Sequence, residues 1–429
     1  MNTDATEDAR SGRRARPGDS AGISPSPPHA VAPEVLDRYA ELIVELGANV
    51  QPGQVVEVRA ELEKASLVRA IASAAYQRGA RFVDANYFDP YVRRERIARA
   101  DPDTISFVPD WHGRRVLSLG EQRCARITLA GFPSPGLYDD LDPALVAREP
   151  FPQIPEYSTI IDDRTTNWTI AACPSAEWAA VVHPHLPPDE ALRRLWEQVL
   201  HMARADADDP RADWQTRLDQ ITAAKQQLNE RRFDALHFQG PGTDLTIGLL
   251  PSSTWAGGTE ATIDGIVHMP NLPTEEVFTT PDPQRADGEV RSTRPLQLKS
   301  GALVEGLRVR FEGGRAVEIE ADRGAEALRG HVSSDKGASR LGEVALVDRQ
   351  SRVGSLNTVF YTTLLDENAA SHIALGSAYL ETVGESDRDR ANRSKQHIDF
   401  MLGGDDIDVT GITRAGERVP LLLGGAWVP

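Results

Sequence analysis

Four stretches between residues 273 and 401 carry side chains that can ligate a divalent metal. Pro273-Thr274-Glu275-Glu276-Val277-Phe278-Thr279 sets two adjacent acids in an apolar, proline-bounded segment. In an extended chain neighbouring side chains point to opposite faces, so only one of the pair can face a given site. Leu341-Gly342-Glu343-Val344-Ala345-Leu346-Val347 places one carboxylate in a strand-type run. Burial there is costly unless the charge is paired or bound to a cation. Asp366-Glu367-Asn368-Ala369-Ala370-Ser371-His372 leads a polar group into an imidazole. His397-Ile398-Asp399 has the two-residue spacing that brings an imidazole and a carboxylate to one face of a strand. Taken singly, each stretch has an ordinary explanation. The acidic pair fits a solvated turn, Glu343 a salt bridge to Arg340, His372 a core or capping role, and His397 with Asp399 a simple hydrogen bond. Taken together they offer carboxylates and imidazoles without thiols, a mixture that suits zinc, cobalt or manganese and disfavours copper(I) or iron–sulfur chemistry. More ligands than one ion needs points to two ions sharing a bridging carboxylate.

Composition narrows the alternatives. The net charge of −17 argues against nucleic acid as a partner, because phosphate neutralisation needs clustered Lys and Arg. Two cysteines, Cys124 and Cys173, exclude a disulfide scaffold and a thiol-rich metal site. No apolar run approaches the roughly 20 residues that span a bilayer, so no membrane partner is expected. The N-terminus lacks the apolar core of a signal peptide, and a cytoplasmic location is the expectation. No phosphate-cradling glycine loop, G-x-S-x-G elbow or H-E-x-x-H helix is present.

The elements that must hold these residues read as two units after a tail. Residues 1–32 are polar and proline-rich without apolar period and are expected to be disordered. Residues 33–234 read as an α/β domain with an open, mostly parallel sheet. A helical pattern runs from Pro33 to Leu46, a strand follows at Val55–Val58, a helix carries Leu67, Val68, Ile71, Ala74 and Ala75, and Phe82–Ala85 makes the next strand. That is the size of one strand–helix–strand unit. Two further helices are expected from Pro188 and from Pro210 to about Leu228. After Arg232, short β-type runs alternate with Gly and Pro turns, including a hairpin at Gly313-Gly314. Residues 235–429 are therefore expected to form an α+β metal-binding domain.

Longer motifs make the site residues more specific. Asn271 through Thr279 and Asp366 through Gly376, with Leu46 through Gln54, Thr166-Asn167-Trp168-Thr169 and Gly240 through Leu245, resemble the M29 metallo-aminopeptidases in the same order along the chain. The resemblance implies hydrolysis of the N-terminal peptide bond of short peptides by a dinuclear centre and a metal-activated water. It implies Glu276, Glu343, Glu367, His372, His397 and Asp399 as ligands of two divalent ions (Zn, Co or Mn), with Glu343 as the bridge. Glu275 is the fallback for Glu276, and a general base only if the backbone turns it to the site. The family's active-site tyrosine falls on Tyr379, placed to donate to an oxyanion. Family members resemble one another as homodimers whose sites face an enclosed space. The chain departs from the pattern at Lys336, where an acid is expected, and in a shorter stretch between His372 and His397, charged from Glu381 through Arg393, that is expected to be a loop lining the entrance. A related class, mononuclear iron dioxygenases that cleave dihydroxypyridine rings, is the alternative: His372, His397 and Asp399 would suffice for it, and Glu276 with Glu343 would be superfluous.

Overall fold

Apolar residues at helical spacing bury Leu36, Tyr39, Ala40 and Leu42 on one side of the first helix, Pro33–Leu42 (α1), which starts on a proline. The pattern runs on to Leu46, but Ile43–Gly47 winds into a wider π-type turn. Val55–Glu61 (β1), Ala65–Gln77 (α2) and Phe82–Phe88 (β2) follow, and β1 and β2 pair in parallel. The computed structural model describes residues 31–131, 136–138, 140–152, 154–298 and 302–428. The expectation of a disordered tail therefore falls, for residues 1–30, outside the described residues.

Ala125–Ala130 (β3) and Asn167–Ala172 (β4) extend the sheet in parallel, giving the order β2-β1-β3-β4. The fifth, edge position is taken by Asn271–Leu272, parallel to β4 and far along the chain. Val353, Phe360, Leu364 and Leu365 are also buried in the core that covers this sheet. Two segments flanking the candidate ligands in sequence are thus anchored on the N-terminal α/β domain. The helices Pro188–Met202 and Pro210–Arg231 form as their apolar spacing predicts, and Trp196 and Trp214 are core residues.

The C-terminal region is mostly antiparallel. One sheet has eight strands, including the hairpin Arg308–Glu312 and Arg315–Glu320 around Gly313-Gly314. A second has four, in the order Glu276–Thr279, Leu341–Val347, His372–Gly376, His397–Met401. Strand alternation splits this small sheet into two chemically distinct faces. Val277, Val344, Ile373 and Phe400 point into an apolar core shared with Phe238, Ile247 and Val309 of the larger sheet. The opposite face presents Glu276, Glu343, His372, His397 and Asp399.

Register sets the spacing on that face. Glu343 and Asp399 both lie opposite Ala374, and His372 lies opposite Ala345, so small side chains occupy the space between the polar ones. A register shift at Gly342 re-aims Glu343. A Cβ on Gly342 would stand 2.4 Å from the Gly376 carbonyl oxygen and 2.3 Å from that of Ser377. Gly342→Ala is expected to cost about 1–3 kcal/mol through this overpacking, read as a lower midpoint in chemical denaturation. An unchanged midpoint would contradict the close backbone approach.

Candidate metal centre

Five short segments deliver six potential ligands to one place. Four are the strands of the small sheet, and the fifth is the tight turn Glu367–Ala369 that brings in Glu367. Three overlapping groups have ligand atoms within 4.8 Å of one another: Glu276, Glu343 and His372; Glu343, His397 and Asp399; Glu367, His372 and Asp399. Glu343, His372 and Asp399 each belong to two of the groups, so the six residues form one continuous cluster.

Hydrogen bonding orients both imidazoles. His397 Nδ1 lies 2.9 Å from the Ser377 carbonyl oxygen, and His372 Nδ1 lies 3.2 Å from that of Ala370. Each Nδ1 therefore donates to backbone, an assignment made from these partners, and each Nε2 faces the cluster. A carbonyl behind a ligating histidine is the usual device that fixes its tautomer and ring angle. Around His397 Nε2 converge Glu343 Oε2 at 3.1 Å, Asp399 Oδ1 at 3.2 Å and the Tyr379 hydroxyl at 3.3 Å. Glu276 Oε2 stands 3.1 Å from His372 Nε2.

The donor set fits divalent cations. Glu276 Oε2 and Asp399 Oδ1 are buried without an aligned hydrogen-bond partner, although each is near an imidazole nitrogen. Four carboxylates in one buried chamber repel strongly unless positive charge joins them. Burial, then the charges of Glu276 and Asp399, push the Glu367 carboxyl well above its ordinary range. Burial, opposed by His397 and reinforced by Asp399, raises Glu343. Burial works to lower His372, but the adjacent carboxylate of Glu276, with Glu343 and Asp399, raises it to about 10. His397 is likewise raised against its burial, by Asp399 and Glu343. Without metal, then, the cluster holds protons in the place of cations.

Tyr379 stands at the edge of this cluster. Its ring lies 5.2 Å from Phe278 and 5.1 Å from His397, centre to centre, and the residue is 38 % exposed. Loss of water around the phenol, then the charges of Glu343 and Asp399, raise its pKa well above 10. The hydroxyl therefore remains protonated and can donate.

The acidic pair splits as strand alternation requires. Glu276 faces the cluster, whereas Glu275 faces away, enclosed by Arg204 and Arg217. Glu275 is thus placed neither to ligate nor to take a proton from a water at the centre. The salt bridge from Glu343 to Arg340 does not form: Arg340 donates to the Pro283 and Gly313 carbonyls. His372 lies on a strand after a tight turn, not on a helix with Glu367. The acid missing at Lys336 leaves Asp335 beside it, which caps the amides of Gly337 and Ala338. The stretch after Tyr379 is irregular, with short turns at Leu380–Thr382 and Glu385–Asp387.

Carboxylates and imidazoles meet here beside a tyrosine hydroxyl, a donor set that suits a divalent-metal protein. The family model described as thermophilic metalloprotease (M29) matches residues 33–427. The chain is 42 % identical to aminopeptidase T of Thermus aquaticus over 404 residues, which cover 92 % of this chain and 98 % of that protein. It is 38 % identical to aminopeptidase 2 of Geobacillus stearothermophilus, covering 91 % and 97 %. A solved structure, wild-type AmpT from Thermus thermophilus, superposes with a TM-score of 0.86 at 40 % identity, covering 92 % of this chain and 99 % of that one. The chain belongs to the M29 peptidase family: it is a metallo-aminopeptidase, a hydrolase acting on peptide bonds. No helix among the described residues is long and apolar enough to cross a membrane.

Metal uptake must displace the protons that the cluster holds. Zn²⁺ binding is therefore expected to tighten as pH rises through the neutral range, with a calorimetric enthalpy that depends on the ionisation enthalpy of the buffer. Affinity independent of pH and of buffer would contradict the proton-filled cluster.

Proposed function

We propose that the chain removes the N-terminal residue from short peptides with two divalent ions held by Glu276, Glu343, Glu367, His372, His397 and Asp399. The observation that carries this reading is the overlap of three ligand groups through shared residues, since a single ion would leave part of the set without a role. Glu343, one of three residues common to two groups, would be the carboxylate shared between the ions, as the family resemblance implies. Bound divalent ions supply Lewis acidity toward the scissile carbonyl, lower the pKa of a water and can receive a free α-amine. Zinc, cobalt or manganese suits the oxygen and nitrogen donors.

The protein's own groups do the rest. The Ser377 and Ala370 carbonyls hold the two imidazoles with Nε2 toward the centre. Tyr379, whose hydroxyl lies 3.3 Å from His397 Nε2 at the edge of the cluster, donates a hydrogen bond to the oxyanion that develops on the attacked carbonyl. Its partial exposure lets it meet a substrate that enters from solvent. The proposal extends to a homodimer in the cytoplasm whose enclosed sites admit only short peptides, in keeping with the family resemblance. A mononuclear iron site for ring cleavage would give no role to Glu276, Glu343 and Glu367, which lie within the same cluster.

Removal of metal by a chelator is expected to abolish release of N-terminal residues, and Glu343→Gln to abolish it in metal-replete buffer. Activity retained in either assay contradicts the two-ion reading. Tyr379→Phe is expected to lower kcat by about 10²–10³ with metal content unchanged, measured with an aminoacyl chromogenic substrate. A variant with unaltered kcat removes Tyr379 from the chemistry.

A further inference from the structure

One residue before Glu276, Glu275 is 2 % exposed and is gripped at every polar group it has. Its carboxylate accepts from Arg204 Nη1 at 2.8 Å, and its other oxygen is ion-paired to Arg217 Nε at 2.5 Å. Its carbonyl accepts from Arg217 Nη2 at 3.1 Å. Its amide donates to Asn368 Oδ1 at 2.6 Å. Every one of these partners is itself buried and held. Arg204 stacks on the Trp214 ring at 4.2 Å, and Arg217 also pairs with Asp348 at 3.0 Å. Asn368 donates to the Leu364 carbonyl, and its own carbonyl accepts from Ser351.

The partners are significant for where they sit. Asn368 directly follows Glu367, and Asp348 directly follows Val347, the last residue of the strand that carries Glu343. Arg217 belongs to the Pro210–Arg231 helix, and Arg204 lies in the turn before it. A buried network therefore ties the backbone beneath Glu276 to the neighbours of two other ligand segments and to a helix that supplies no ligand. A buried carboxylate that lost its two guanidiniums would be left as an uncompensated charge at high cost, so the backbone at Glu275 has little freedom to shift, and Glu276 inherits its position.

We propose that Glu275, held by Arg204, Arg217 and Asn368, is a positioning residue that sets the stance of the Glu276 carboxylate and couples metal binding to the Arg204–Arg217 segment. The inference rests on the metal reading above but concerns residues that touch no ion. Groups behind metal ligands typically alter affinity by about 10–100-fold when changed.

The test uses the full chain and Zn²⁺. Glu275→Gln and the milder Arg217→Lys are expected to weaken Zn²⁺ binding by about 10–100-fold in competition with a chromogenic chelator. A purely structural role would instead lower the thermal midpoints of metal-free and metal-loaded protein in parallel and leave Zn²⁺ affinity unchanged, which overturns the proposal. Should either variant fail to fold, hydrogen exchange on the unaltered protein decides. Zn²⁺ is expected to slow exchange in peptides covering residues 204–217, and no change there overturns the proposal. Failure of the unaltered protein to bind Zn²⁺ at all would sink the metal reading instead, so the two failures are distinguishable.

Discussion

Charge compensation is the constraint on which this structure turns. Glu276, Glu343, Glu367 and Asp399 are brought to one chamber of the fold, with two imidazoles beside them. Four carboxylates in a place shielded from water are tolerable only with positive charge among them. In the metal-free protein protons answer part of that demand: the surroundings raise the carboxyls of Glu343 and Glu367 and the imidazoles of His372 and His397, while, against burial, the two imidazoles hold Asp399 low. Divalent ions satisfy the same demand with a fixed geometry and, unlike protons, supply Lewis acidity where a peptide carbonyl can be attacked.

The small antiparallel sheet is built to make that demand and nothing more general. One face is apolar but for Thr279 and is packed on the larger sheet, with Phe400, Ile373 and Val344 fully buried. The other interleaves ligands with Ala345 and Ala374, whose small side chains leave room for ions between the carboxylates. Glu275, which would add a further negative charge to the chamber, is turned to the other side and neutralised by Arg204 and Arg217. The apolar anchoring, the register and the buried arginines thus serve one purpose: they keep polar groups that repel one another from relaxing apart.

Much of this is legible in the sequence, and the illegible part has identifiable causes. His397 and Asp399 share a face because strand side chains repeat every two residues, a local rule that survives folding. The hairpin at Gly313-Gly314 and the helices from Pro188 and Pro210 are equally local. Alternation states that only one of Glu275 and Glu276 faces the centre, but the choice between them depends on Arg204 and Arg217, 71 and 58 residues away. No periodicity reaches that far. The link of Asn368 to the Glu275 amide spans 93 residues and is likewise invisible locally. Glu367 and His372 come together through a tight turn running into a strand, a change of element that no single period describes. Asn271–Leu272 completes the parallel sheet as its fifth strand, a pairing too short to announce itself. The family resemblance bridges these gaps because it compares whole motifs rather than local spacing.

The most direct test of the central claim is anomalous X-ray diffraction from crystals of the protein loaded with Zn²⁺ or Co²⁺. Two anomalous peaks within the cluster, with Glu343 in contact with both, are the predicted result. A single peak held by His372, His397 and Asp399, with Glu276 and Glu343 away from it, would contradict it.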